Sequence, residues 1–247
     1  MPKQTYKFGT GSLFGMTNGG TVNTPREFGA LQNASVDFAF TVKPLRGQKL
    51  FALANAQGEG KVTGKAEWAQ VNGEIYNDLF FNGVLTQNQG ISVAVQEAGT
   101  VPAATPYTVT VANSANFQDD LGVAYLVGGN PLTKVSTTPA QGEYSVSAGV
   151  YTFAAADANA QVLISYTYSN TTGMTINIKN QLQGQAPTFS IWFATTYNNQ
   201  QAMFKLPACT ASKLSLPSKM ADWNLDQFEF EAQDDGSGNI AYLSVLT

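Results

Sequence analysis

Val36-Asp37-Phe38-Ala39-Phe40-Thr41-Val42-Lys43 alternates large apolar residues with small or polar ones over eight positions. A β-strand turns successive side chains to opposite faces, so this period of two describes a strand with one buried face. Pro44 is expected to close it, because proline offers no N–H to a ladder. The same alternation returns at Val62, Gly64, Ala66 and Trp68, set against Lys61, Thr63, Lys65 and Glu67. It recurs at Ile91, Val93 and Val95, at Met174, Ile176 and Ile178, at Phe189, Ile191 and Phe193, and at Phe228 and Phe230. Residues 50–55 read as a short strand or a turn into one. Met203–Leu206 and Lys213–Leu216 read as two separate short strands, and 240–246 as the return strand of a terminal hairpin after a turn at Asp234–Asn239. Residues 1–33 are punctuated by Gly9, Gly11, Gly15, Gly19 and Gly20. They read as an arm or long loop in which Phe8, Leu13 and Phe14 are apolar enough to dock on something.

One stretch breaks the period. From Asn72 to Phe81, Ile75 and Leu79 lie four residues apart, Glu74 and Asp78 lie on the polar side, and Asn72 stands where a helix cap belongs. Asn82-Gly83 is read as its end. Tyr76, Phe80 and Phe81 widen its apolar face, so this helix is expected to lie against a sheet or a neighbouring subunit.

Between residues 98 and 170 the texture changes to short strand signals at close spacing, divided by turns such as Gly128-Gly129-Asn130. The expected architecture is therefore mainly β. It has an antiparallel sandwich or barrel-like core, residues 1–97 and 171–247, with one flanking helix and a small inserted β module, residues 98–170.

Composition narrows the function. The 247 residues include no histidine, one cysteine, 13 Lys and Arg, and 17 Asp and Glu, for a net charge of -4. Charged residues make up 12% of the chain, about half the usual share. That balance opposes a basic nucleic-acid binder and fits a surface that is covered in an assembly. Without histidine no Ser-His-Asp or Cys-His mechanism can be built within the chain. Cys209 has no partner for a disulfide and is read as buried and inert. Asp119-Asp120 reads as solvated surface, and Asp234–Asn239 as a turn rather than a calcium loop. Trp68, Trp192 and Trp223 read as core or interface residues rather than a sugar platform. No catalytic, cofactor or metal residue is assigned, and an enzyme is not expected. No run of about 18 apolar residues appears, and residues 1–20 lack the apolar centre of a signal peptide. A membrane location is not expected.

Three pieces of the chain resemble tail tube proteins of tailed bacteriophages. They are the strand 36–43, the segment Gly64-Lys65-Ala66-Glu67-Trp68 through Asn77-Asp78-Leu79-Phe80-Phe81, and the C-terminal stretch from Lys205-Leu206-Pro207-Ala208-Cys209 through Phe228-Glu229-Phe230-Glu231-Ala232. The middle piece, with Gly142-Glu143-Tyr144-Ser145-Val146 and Ile164-Ser165-Tyr166-Thr167-Tyr168, looks like modules of phage structural proteins. The resemblance implies a homo-oligomer of hexameric rings, stacked into a tube with other tail proteins, through whose lumen DNA passes. It implies a place in the virion tail, with the host cytoplasm before assembly. On that basis Asp37, Glu229 and Glu231 are expected to face the lumen. Phe8, Leu13, Phe14, Tyr76 and Phe80 are expected between subunits, and the arm 1–33 and the loop 47–60 between rings. The inserted module is either a decoration or part of the ring body. The alternatives are another virion β protein, in the baseplate or as a decoration, or a carbohydrate-binding or adhesion module.

Overall fold

A computed structural model describes residues 8–19, 23–81, 84–198 and 200–246. Strands take 56% of the structure and helical turns 6%, so the fold is mainly β, with antiparallel sheets and, among the described residues, a single α-helix. In chain order the first strands are β1 (Ser12–Thr17), β2 (Arg26–Glu27), β3 (Leu31–Arg46) and β4 (Ala52–Trp68). The helix α1 (Gly73–Tyr76) follows and continues as a π-turn, Asn77–Phe81. Next come β5 (Val84–Gln87), β6 (Gly90–Thr100), β7 (Thr108–Thr110), β8 (Phe117–Tyr125), β9 (Thr133–Lys134) and β10 (Glu143–Ser147). The remainder are β11 (Val150–Phe153), β12 (Gln161–Asn170), β13 (Met174–Asn177), β14 (Thr188–Tyr197), β15 (Gln200–Ser215), β16 (Asp226–Ala232) and β17 (Tyr242–Leu246). The chain divides into two compact units, Met1–Val84 with Ile176–Thr247, and Leu85–Thr175. Strands β5 and β13 pair as a small separate sheet.

The first unit is one sheet in the order β2-β1-β14-β15-β16-β4-β3, with β17 added to β15. The sheet curls, so that Leu13 of β1 and Leu31 of β3 line the same core. The core is aromatic: Phe28 stacks on Phe228 at 5.2 Å, Phe228 on Phe230 at 4.9 Å, and Trp68 meets Phe28 edge-on at 5.0 Å. Such offset and edge contacts suit the ring quadrupoles. Gly64 is required here, because the Phe230 ring fills the space its side chain would take, and the two residues stand opposite each other across β4 and β16.

Four sequence expectations change in this unit. The glycine-rich arm is not all loop: β1 pairs with β14 over its whole length, Ser12 opposite Ala194 to Thr17 opposite Phe189. Pro44 does not close β3, which runs on to Arg46 with Pro44 opposite Asn55. An edge strand tolerates proline when its missing N–H would have faced outward. The two short strands at 203–206 and 213–216 belong to one strand, β15. Its Pro207 lies where the pairing with β14 shifts register, and the Pro207 carbonyl accepts from Ser190 Oγ at 2.7 Å and Asn18 Nδ2 at 2.8 Å. The last strand forms no hairpin with β16, both edges of which are taken by β15 and β4. Strand β17 instead pairs with the 201–205 end of β15.

The helix starts as its sequence foretells. Asn72 Oδ1 accepts from the Glu74 N–H at 2.9 Å, satisfying one of the donors that a helix start leaves open. Arg26 holds the element from outside, with Nη1 2.5 Å from Glu74 Oε2 and Nε 3.8 Å from Asp78 Oδ2. The proposed end at Asn82-Gly83 lies outside the described residues.

The second unit places β6-β12-β8 over β7-β11-β10-β9 around a single core that includes Val123, Tyr151, Val162, Ile164 and Tyr166. Strand β9 is parallel to β10, and the other pairings here are antiparallel. The boundary expected at 97/98 would cut strand β6. It pairs with β12 from Gly90 to Thr100, so the boundary falls before β6, at 84/85, and on the return at 175/176.

Candidate assembly surfaces

Among the described residues no group of three or more His, Cys, Asp or Glu is placed to hold a metal ion. Cys209 is buried, and burial pushes its thiol up to about 12, so at neutral pH it carries no thiolate. Trp68 is fully buried, Trp192 is half-buried beside Lys205, and Trp223 is exposed. The three therefore form no common sugar-stacking platform. No described helix is long and apolar enough to cross a membrane.

What the first unit does offer is uncovered apolar surface on an overhanging hairpin. Strand β16 flanks β4 only over Val62–Trp68. Beyond that, from Ala39 opposite Lys61 to Arg46 opposite Ala52, β3 and β4 pair only with each other among the described residues. The overhang is roughly 25 Å long at about 3.3 Å per residue. Phe40, Val42, Leu45, Leu50, Phe51 and Leu53 are all exposed along it, Leu50 by 83% and Phe51 by 80%. The Phe40 ring lies across Gly60, which leaves room for it. A lone two-stranded ribbon is marginal in water, and an apolar ribbon with free edges invites pairing. Where β4 parts from β16, a groove of about 390 Å³ opens, lined by Phe38, Phe40, Val62, Ala232, Ile240 and Ala241. Strand β17 is exposed along its whole length and contributes Leu243, Val245 and Leu246 to the same kind of surface.

Of the expected subunit contacts, only Phe8 is fully open; its ring lies 6.0 Å from Tyr197. Leu13 and Tyr76 belong to the core, which corrects their assignment as contacts. The Tyr76 hydroxyl donates to the buried Asp226 carboxylate, and burial together with that carboxylate raises its pKa. Phe80 packs edge-on against Phe228 at 5.4 Å. Phe14 is half-buried opposite Trp192. Helical spacing exposed the width of the apolar face around residue 76 but not what covers it, and the curled sheet does so from within.

The expected acids do come together. Asp37 and Glu231 both stand opposite Thr63 on the two sides of β4, and Glu229 stands opposite Lys65. All three therefore project from the outer face of the sheet, since Phe228 and Phe230 point to the core. The face is not of one sign, however. Lys61 lies 2.8 Å from Glu231, Lys65 3.0 Å from Glu67 and Lys213 3.7 Å from Glu229. Four acids are interleaved with three lysines.

The second unit holds three carboxylates that the sequence does not single out as clamps. Asp120 accepts from Tyr144 Oη at 2.8 Å, Tyr151 Oη at 3.0 Å and the Gly122 N–H at 3.1 Å, with Lys134 Nζ at 3.1 Å. Burial opposes the charge on Asp120, yet those donors hold its carboxyl below the ordinary value. Asp157 accepts from Tyr125 at 2.6 Å, and Glu97 from Tyr166 at 2.6 Å. Asp120 is thus no solvated loop residue. It lies in β8 with its side chain turned under β10 and β11. The recurrence of tyrosine in this unit was the visible hint.

No family model matches the chain, and no curated protein matches it.

Proposed function

We propose that this chain is a structural subunit that assembles with copies of itself into stacked rings of the phage tail tube type, hexameric as the resemblance implies, with DNA passing through the lumen and the virion tail as its location. The observation that carries this reading is the β3–β4 overhang. A ribbon with six exposed large apolar side chains and free edges is a liability in a monomer and an asset in an assembly. Pairing of unlike edges closes a ring when the rotation closes, and contacts along the axis extend it. On this reading Asp37, Glu229 and Glu231 line the lumen together with Lys61, Lys65 and Lys213. Such a wall of small net charge gives the DNA backbone little to grip. The role is passive conduction without chemistry. A different virion position, in a baseplate or as a decoration, would use the same surfaces.

Negative-stain electron microscopy across a concentration series tests the proposal. Rings or tubes with a central hole are expected, and their symmetry gives the subunit number. A monomer that persists at every concentration, including in the presence of tail-initiating proteins, would overturn it.

A further inference from the structure

Charge in the first unit is sorted along the chain. Residues 38–58, the overhanging hairpin, carry Lys43, Arg46 and Lys49 and no acid, whereas residues 220–247 carry six acids and no cation. No described salt bridge reaches any of those three hairpin cations. Among the six acids, Asp222, Glu229 and Glu231 are met by Lys219, Lys213 and Lys61, and Asp226 is buried against Tyr76. Asp234 and Asp235 remain. Both are exposed, and among the described residues they accept only from N–H groups of their own turn.

That turn borders the groove where β4 parts from β16. Its end, residues 238–241, lines the groove together with Phe38, Phe40 and Val62. Asp235 accepts from the side chain of Asn239, a lining residue, so the carboxylates stand at the rim. The one cation in the lining, Lys61, is already held by Glu231. The groove is thus apolar within and anionic at its lip. The hairpin tip is its counterpart, apolar at Leu50 and Phe51 and cationic at Arg46 and Lys49. A chain cannot fill its own groove with its own tip. Phe38 and Phe40 belong to the root of the hairpin, and the ribbon runs on from there for roughly 25 Å, at about 3.3 Å per residue.

We infer, resting on the assembly reading, that the hairpin tip of one copy docks in this groove of a second copy. Leu50 and Phe51 enter between Phe40 and Ile240, and Arg46 and Lys49 meet Asp234 and Asp235 at the lip. The charges select the partner: a tip that repels other tips is drawn to the one apolar opening whose rim carries unanswered acids. Donor and acceptor are different surfaces, so the contact is head-to-tail and every copy gives one tip and receives one. Such a contact closes into a ring or runs on along an axis. Asp234–Asn239 is then a recognition turn as well as a chain reversal.

Cross-linking between full chains tests this. Phe51→Cys chains are mixed under mild oxidation with size-tagged Ala241→Cys chains. Val127→Cys, in the second unit and as exposed as residue 51, is the comparison partner. Cys209 is buried and does not compete. A disulfide needs Cα atoms within about 7 Å, so the 51–241 dimer is expected to exceed the 51–127 dimer about tenfold. Arg46→Glu with Lys49→Glu on the tip chain sets like charges together and should remove most of that excess. Asp234→Lys with Asp235→Lys on the partner should restore it. Asp234→Asn with Asp235→Asn keeps the oxygens that hold the turn and should lower the yield with the unaltered tip. Equal yields at 241 and 127, or a 51–241 yield indifferent to both the reversed tip and the Asn pair, would overturn the inference. So would tip-dependent binding to phosphatidylglycerol vesicles with no 51–241 link, which would give the tip to an anionic membrane. Electron microscopy of the same samples separates the two readings. Rings without the link would remove this contact and leave the assembly, and the link without rings would do the reverse.

Discussion

Replacing Asp120 with alanine removes the acceptor shared by two buried phenols. Tyr144 and Tyr151 are 3% and 0% exposed, and their hydroxyls lie 2.8 and 3.0 Å from the Asp120 oxygens. A buried donor left without a partner costs about 1–3 kcal/mol, so the pair together cost about 2–6 kcal/mol. Lys134 adds little, because its half-exposed ammonium returns to water. The loss is comparable with much of the 5–15 kcal/mol or so that holds an ordinary domain folded. Spectroscopy can assign it to its unit. All three tryptophans, at 68, 192 and 223, belong to the first unit, whereas six of the ten tyrosines lie in the second. Guanidinium unfolding followed by tyrosine near-ultraviolet circular dichroism should show the second unit melting at much lower denaturant in Asp120→Ala. Adding Tyr144→Phe and Tyr151→Phe should recover part of the loss, since removing both partners is far less costly than removing one. A tyrosine transition within about 0.5 kcal/mol of the parent, the range of an ordinary surface change, would refute the clamp.

Burial, reinforced by the Asp120 carboxylate, raises the pKa of Tyr144 and Tyr151 above their ordinary 10.0. A raised folded value contributes stability that is complete below pH 10 and lost as pH rises beyond it. Tyrosinate absorbance at 295 nm should therefore rise in two steps, exposed phenols first, and the second unit should unfold as the buried ones ionise; a single step near pH 10 with the unit still folded would contradict this. Gly64→Val drives a branched side chain into the Phe230 ring and should cost at least about 1–3 kcal/mol, read as a lower midpoint in tryptophan fluorescence. Leu50→Asp with Phe51→Asp, at the exposed hairpin tip, should leave thermal unfolding within about 0.5 kcal/mol of the parent while abolishing rings and tubes in electron micrographs.

Much of the fold was legible along the chain. The alternation at 36–42 and 62–68 marks β3 and β4, and Phe228 and Phe230 mark the inner face of β16, because a strand shows its own period; the buried face expected over 36–43 is not found, since Phe38, Phe40 and Val42 are exposed. Asn72 marks its helix start because a cap acts within three residues. The misreadings share a cause. Pro44 reads as a strand end, and 203–206 and 213–216 read as separate strands, yet Pro44 lies on an edge strand and Pro207 at a register shift within β15, which only neighbouring strands decide. Strand β17 looked like the return of a hairpin, but β16 had no edge left to give it.

The candidate surfaces divide in the same way. Phe8 is exposed, whereas Leu13 and Tyr76 are apolar residues whose cover comes from distant strands. Asp37, Glu229 and Glu231 share a face by strand parity, which the sequence contains, but the lysines among them arrive through pairing with β4 and β15.

By itself the sequence determined the β period, the helix cap, the mainly β class and the absence of histidine chemistry, since each depends on residue types within a few positions of one another. Only the tertiary structure decided which apolar stripes are covered and which overhang, because the partner that covers a strand lies a hundred or more residues away, as for β1 on β14 and β4 on β16, and no local pattern records it.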